Sequence, residues 1–99
     1  MKRLDEFLKA VAQKLELGLG LRRQEALERW EEAAGKELAR LSAPEGFEGN
    51  VLKIRALHPA ALMELRMRQA EILMRLNTLA EETVFTEIRV LSPAGRRRG

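Results

Sequence analysis

The side chains in this sequence that could do chemistry are basic ones. Lys53 and Arg55 alternate with apolar residues in Val51-Leu52-Lys53-Ile54-Arg55-Ala56, and Arg89 holds a similar place in Glu87-Ile88-Arg89-Val90-Leu91. Cations at alternate strand positions share one face, where they could grip the phosphates of a nucleic acid. A solvated face with Glu87 interspersed is the competing reading. Arg96-Arg97-Arg98 lies between glycines and suits mobile electrostatic capture of phosphate, or plain solubility. A third group, Arg66, Met67, Arg68, Met74 and Arg75, falls on one helical stretch with Met63, largely off its leucine stripe. Methionine beside arginine makes an adaptable surface for a protein partner. Peripheral core with solvated arginines would look the same.

Nothing else assembles into a reactive constellation. His58 is the only histidine, and it precedes a proline at a helix start, the place of a capping or exposed side chain. Glu31-Glu32 and Glu81-Glu82 are sequence neighbours, so on a helix they diverge by roughly 100° and are solvated rather than paired. The absence of cysteine removes disulfides, thiolate zinc sites and cysteine nucleophiles together. There is no Gly-x-x-x-x-Gly-Lys loop for ATP. The expectation is a non-enzymatic protein with no cofactor and no metal.

The bulk properties suit one small domain over residues 1–92 and a basic disordered tail over 93–99. Of 99 residues, 45% are hydrophobic and 33% charged, a soluble globular balance. No run of about 18 apolar residues could span a membrane. Met1-Lys2-Arg3-Leu4-Asp5-Glu6 has acids where a secretion signal would be apolar, so a cytoplasmic location is expected. The net charge of +3 equals the Arg96–Arg98 run, so the rest of the chain is neutral and charge-dense. Dense mixed charge, few amides and no cysteine match the pattern of hot-adapted proteins.

The elements that must position these residues follow from periodicity. Leu4, Phe7, Leu8, Val11 and Leu15 predict an amphipathic helix from Arg3 to Leu17, stopped by Gly18 and Gly20. A second helix is expected from Arg22 to Leu41, with Leu27, Trp30, Ala34, Leu38 and Leu41 on one side. Glu25–Arg29 and Glu32–Lys36 have the spacing of attractive pairs on its other side. Gly35 inside that helix suggests close approach of another backbone. Arg22-Arg23 at the helix start opposes the dipole and hints at an outside partner. A short edge strand near Ala43–Glu48, a Gly49-Asn50 turn and the Val51–Ala56 strand come next. His58-Pro59 opens a long third helix with Leu62, Leu65, Ile72, Leu73, Leu76 and Leu79 buried. A last strand from Thr83 to Leu91 offers Val84, Thr86, Ile88 and Val90 to the core. Phe85, Glu87, Arg89 and Leu91 face out, so Phe85 could stack a base or mark a protein interface. The class is α+β, a three-stranded sheet with helices on one face, in the order α-α-β-β-α-β.

Trp30, Gly35, Leu38-Ala39, the Pro44 loop, Gly49, Leu52 and Ile54 together resemble the DciA family. Those bacterial proteins associate with the replicative helicase and help load it onto DNA. Glu64-Leu65, Ile72-Leu73, Leu76-Asn77 and Glu87-Ile88-Arg89-Val90 continue the likeness downstream. The family usually has a second tryptophan after the hairpin, where this chain reads His58-Pro59-Ala60-Ala61. It also often carries a longer disordered extension, of which Ser92–Gly99 is a short counterpart.

The resemblance implies a K-homology-like fold, no ATPase, a replicative DNA helicase as partner and single-stranded or forked DNA as ligand. The Gly-x-x-Gly spacing of the true K-homology clamp occurs here only as Gly46-Phe47-Glu48-Gly49, in the expected edge strand and turn. A K-homology-like RNA-binding module and a protein-interaction adaptor without nucleic acid are the other readings. A monomer is favoured.

Overall fold

A computed structural model describes residues 2–93 of the chain. The Arg96-Arg97-Arg98 run therefore lies outside the described residues. Helix α1 spans Lys2–Leu27 and runs straight through Gly18 and Gly20, where a stop was expected. A glycine inside a helix costs only about 1 kcal/mol. Packing of Leu19, Ala26 and Leu27 against the core, with buried Arg23, holds the helix through that stretch. No described helix is long and apolar enough to cross a membrane.

The expected second helix is divided. Its first turns belong to α1, and after a turn at Glu28-Arg29 it continues as α2 (Trp30–Ala34) and α3 (Lys36–Arg40). Gly35 stands between them with φ 93° and ψ 153°. A Cβ there would meet nothing within 4 Å, so close packing does not explain the glycine. The backbone angle does, since glycine alone takes it without strain. The break turns α3 so that Leu38 joins Trp30 in the core. Trp30 Nε1 donates to Ser42 Oγ at 3.0 Å, and that hydroxyl donates to Leu38 O at 2.7 Å. The indole thus ties α2, α3 and the first strand together. Arg29 pairs with Glu32 at 2.6 Å rather than with Glu25.

Strands β1 (Ser42–Glu48) and β2 (Val51–Ala56) form an antiparallel hairpin through Gly49-Asn50. Pro44 sits in β1, an edge strand, where its missing N–H costs no ladder bond. A bulge between Pro44 and Gly46 leaves Glu45 as the extra residue. Helix α4 (Pro59–Met67) begins at His58, whose Nδ1 accepts from Ala60 N at 3.0 Å. The histidine is therefore an N-cap. The long third helix breaks at Arg68 and resumes as α5 (Gln69–Ala80).

Strand β3 (Glu87–Leu91) pairs parallel with β2, giving the order β1-β2-β3. A parallel neighbour needs a crossover, and α4 and α5 supply it. The strand begins later than Thr83 because Asn77 holds the preceding segment. Its Oδ1 accepts from Val84 N and Phe85 N at 2.9 and 3.1 Å, and its Nδ2 donates to Phe85 O at 2.9 Å. Consecutive Val84 and Phe85 are both buried, which a pleated strand does not allow on one face. Phe85 is thus core, not outer surface, and meets Phe47 edge-on at 5.8 Å. The fold is the expected α+β arrangement, a three-stranded mixed sheet with helices in the order α-α-β-β-α-β, with the helices subdivided.

Two substitutions probe this frame. Trp30→Ala should lower unfolding free energy by about 3–5 kcal/mol in a urea titration. Gly35→Ala, with no clash to relieve, should still cost about 1–3 kcal/mol through its backbone angle alone.

Candidate nucleic-acid interface

Strand β2 decides where the basic residues stand. Leu52, Ile54 and Ala56 are fully buried, so Lys53 and Arg55 point to the opposite, helix-free face. In β3, Ile88 is buried and Arg89 is exposed. The parallel register sets Lys53 beside Arg89 and Arg55 beside Leu91. The three cations predicted to share a surface do share it.

Each also has an acidic neighbour: Glu87, which parity already placed on this face beside Arg89, and the hairpin acids Glu45 and Glu48, which it did not. Arg55 Nε and Nη2 donate to the two Glu45 oxygens at 2.7 and 3.2 Å, and Nη1 donates to Ser92 O at 2.6 Å. Lys53 lies 3.5 Å from Glu48, and Arg89 lies 3.7 Å from Glu87. The face is therefore charge-balanced. Its cations are unequal, however. Arg55 is engaged on all sides and fastens the bulge of β1 to the chain leaving β3. The Lys53 and Arg89 pairs are single, long and solvated, and such pairs are worth about 0–1 kcal/mol. A phosphate can displace them at little cost. The hairpin acids were legible only as strand residues, because the Glu45 bulge is what brings that carboxylate over Arg55.

The hydrogen bond from Arg55 holds the Glu45 carboxyl below the usual carboxylate range, against a smaller opposing effect of desolvation. The same bond raises Arg55. A lowered carboxylate pKa means that the pair is fully present above the ordinary value of about 4.3. It is lost as pH falls through the depressed folded value.

The methionine and arginine group of α4 and α5 divides. Met63, Met67 and Met74 are exposed, so they are surface rather than peripheral core. Arg66 is exposed and makes no ion pair among the described residues. Arg75 pairs with Glu71 at 3.1 Å. Arg68 sits at the α4–α5 break, reaches Ala34 O at 3.4 Å and lies between Glu64 at 3.7 Å and Glu71 at 3.4 Å. It links one helix break to the other. Between those breaks lies an open cleft of about 540 Å³, lined by Gly35, Lys36, Glu64, Arg68 and Arg75 among others.

Arg22 and Arg23, read as pointing to an outside partner, have internal ones. Arg23 is buried and donates from Nε to Val84 O at 2.9 Å, and Arg22 pairs with Glu82. They lie inside α1, so no exposed helix N-terminus opposes them.

The described residues form a three-stranded mixed sheet with one face covered by helices and Lys53, Arg55 and Arg89 on the other. The family profile described as "Dna[CI] antecedent, DciA" matches residues 3–90. The chain belongs to the DciA family, which is consistent with a helicase-loading role rather than a catalytic one. No curated protein matches it.

Glu45→Gln should release Arg55 toward solvent. If the open sheet face meets nucleic acid, affinity for a labelled oligonucleotide should rise several-fold by fluorescence anisotropy, and the log–log salt slope should steepen by about one. An unchanged titration would exclude Arg55 from contact. Acidification should act in the same direction, and only below the ordinary carboxylate range.

Proposed function

We propose that this domain docks a replicative DNA helicase and contacts single-stranded or forked DNA, assisting helicase loading without hydrolysing anything. Lys53 and Arg89, with Arg55 beside them, meet the phosphates, and Arg96, Arg97 and Arg98 add positive charge. The exposed Arg66, Met67 and Met74, with Arg75 and the Arg68 junction, form the helicase-facing surface. Residues 1–92 act as one domain, and 93–99 as a basic tail. The observation that carries the DNA reading is the Lys53–Arg89 register pairing on the helix-free face. Membership in the DciA family supports the helicase as partner.

Salt dependence tests the DNA contact. Affinity should fall by about one log unit per log unit of salt for each phosphate gripped, and a Lys53→Ala/Arg89→Ala double variant should flatten that slope by about two. A slope near zero in the parent chain would leave a protein adaptor as the reading, which the balanced charge of the sheet face also fits. Competition with RNA of the same sequence separates a K-homology-like RNA binder. Capture of purified replicative helicase should be weakened by Arg66→Glu with Met67→Asp. Unchanged capture by that variant would move the helicase surface elsewhere.

A further inference from the structure

The outer part of α1 has no function in the scheme above. Residues 3–17 are all exposed, whereas the root of the helix, with Leu19, Arg23 and Ala26, packs against its own domain. The helix overhangs as an arm, in a molecule 56 Å long and 18 Å thick. Leu4, Leu8, Val11 and Leu15 run along it at spacings of four, three and four, and Leu19, Arg23 and Ala26 prolong that line into the buried root. The stripe is the core-facing side of α1 continued past the edge of the core.

Such an arm needs a cover. A helix of about 14 residues is marginal alone in water. This one also has Gly18 and Gly20 between itself and most of its packing. Leu4, Phe7, Leu8 and Leu15 are each more than half exposed and Val11 is 38% exposed, so five apolar side chains stand open to solvent along one stretch of helix, the kind of patch that marks an interaction surface.

We propose that the cover is a second copy of this chain, the two arms lying antiparallel with their stripes together. Under a two-fold axis near Lys9-Ala10, Leu4 meets the second copy's Leu15 and Leu8 meets its Val11. Each layer then forms twice, as an isologous interface requires. The overlap uses only residues that lie outside the parent domain. The antiparallel sense follows from the side the stripe faces. Because it faces the same side as the domain, parallel arms would drive the two domains into one another at the root. Antiparallel arms set them at opposite ends. Four apolar layers over about three turns bury on the order of 1,000 Å², the low end for a specific interface, so the dimer is reversible. The inference is independent of the helicase and DNA reading, and so is its test.

Sedimentation velocity on the full chain, from low to high micromolar, should show the mass rise from 11.3 kDa toward twice that value. Leu8→Glu should stay monomeric throughout, with the Trp30 fluorescence of the folded domain unchanged because Leu8 touches no core residue. A parent chain that remains at the monomer mass overturns the proposal, and so does a Leu8→Glu chain that still dimerises. The chain has no cysteine, so orientation can be read by cross-linking. An equimolar mixture of Leu4→Cys and Leu15→Cys chains should oxidise mainly to the mixed dimer. Preferential joining of Leu4→Cys to itself would refute the antiparallel arrangement.

Discussion

The one-sidedness of β2 is the constraint on which the rest of this structure depends. Leu52, Ile54 and Ala56 have no solvent exposure. A strand has a side-chain period of two, so burying this set fixes Lys53 and Arg55 on the outside, and a slip of one residue would exchange the sets. The neighbouring strands must conform. Phe47 in β1 packs inward on the core and Ile88 in β3 does the same. Arg89 is thereby carried to the side of Lys53. The gathering of these cations on one face is a by-product of where the apolar residues had to go.

That surface is more reserved than its cations suggest. Three carboxylates share it, and the best of the three pairs, Arg55 with Glu45, depends on a bulge that adds one residue to β1. Bidentate geometry makes Arg55 a fastening between the hairpin and the chain beyond β3. Lys53 and Arg89, held by longer and wetter pairs, keep their charge available. A balanced face binds a polyanion only by exchanging one partner for another. Any such exchange is governed by how weakly the acids are held, not by net charge alone.

Two interruptions shape the helical layer. Gly35 turns α3 away from α2, and Arg68 separates α4 from α5. Arg68 then bonds to Ala34 O, next to the glycine, so the two breaks stabilise one another across the cleft. Asn77 acts at the far end of α5, satisfying three backbone groups of Val84 and Phe85 and setting where β3 can begin. These polar ties are few, but each sits where an irregular backbone would otherwise leave groups unpaired inside the domain.

Sequence alone determined the α+β class, the hairpin with its Gly49-Asn50 turn, the capping role open to His58, and the shared face of Lys53, Arg55 and Arg89. All of these follow from local periodicity or turn chemistry, which nearby residues settle among themselves. Tertiary structure decided where α1 ends, since packing at its root outweighed the preference of Gly18 and Gly20 to stop it. It buried Phe85 against parity, because the Asn77 side chain replaced strand pairing there. It gave Arg22 and Arg23 internal partners, and it set Glu48 beside Lys53 and Glu45 beside Arg55. Those outcomes rest on groups that meet only after the chain has folded, at separations such as the 61 residues between Arg23 and Val84, and local pattern carries no record of them.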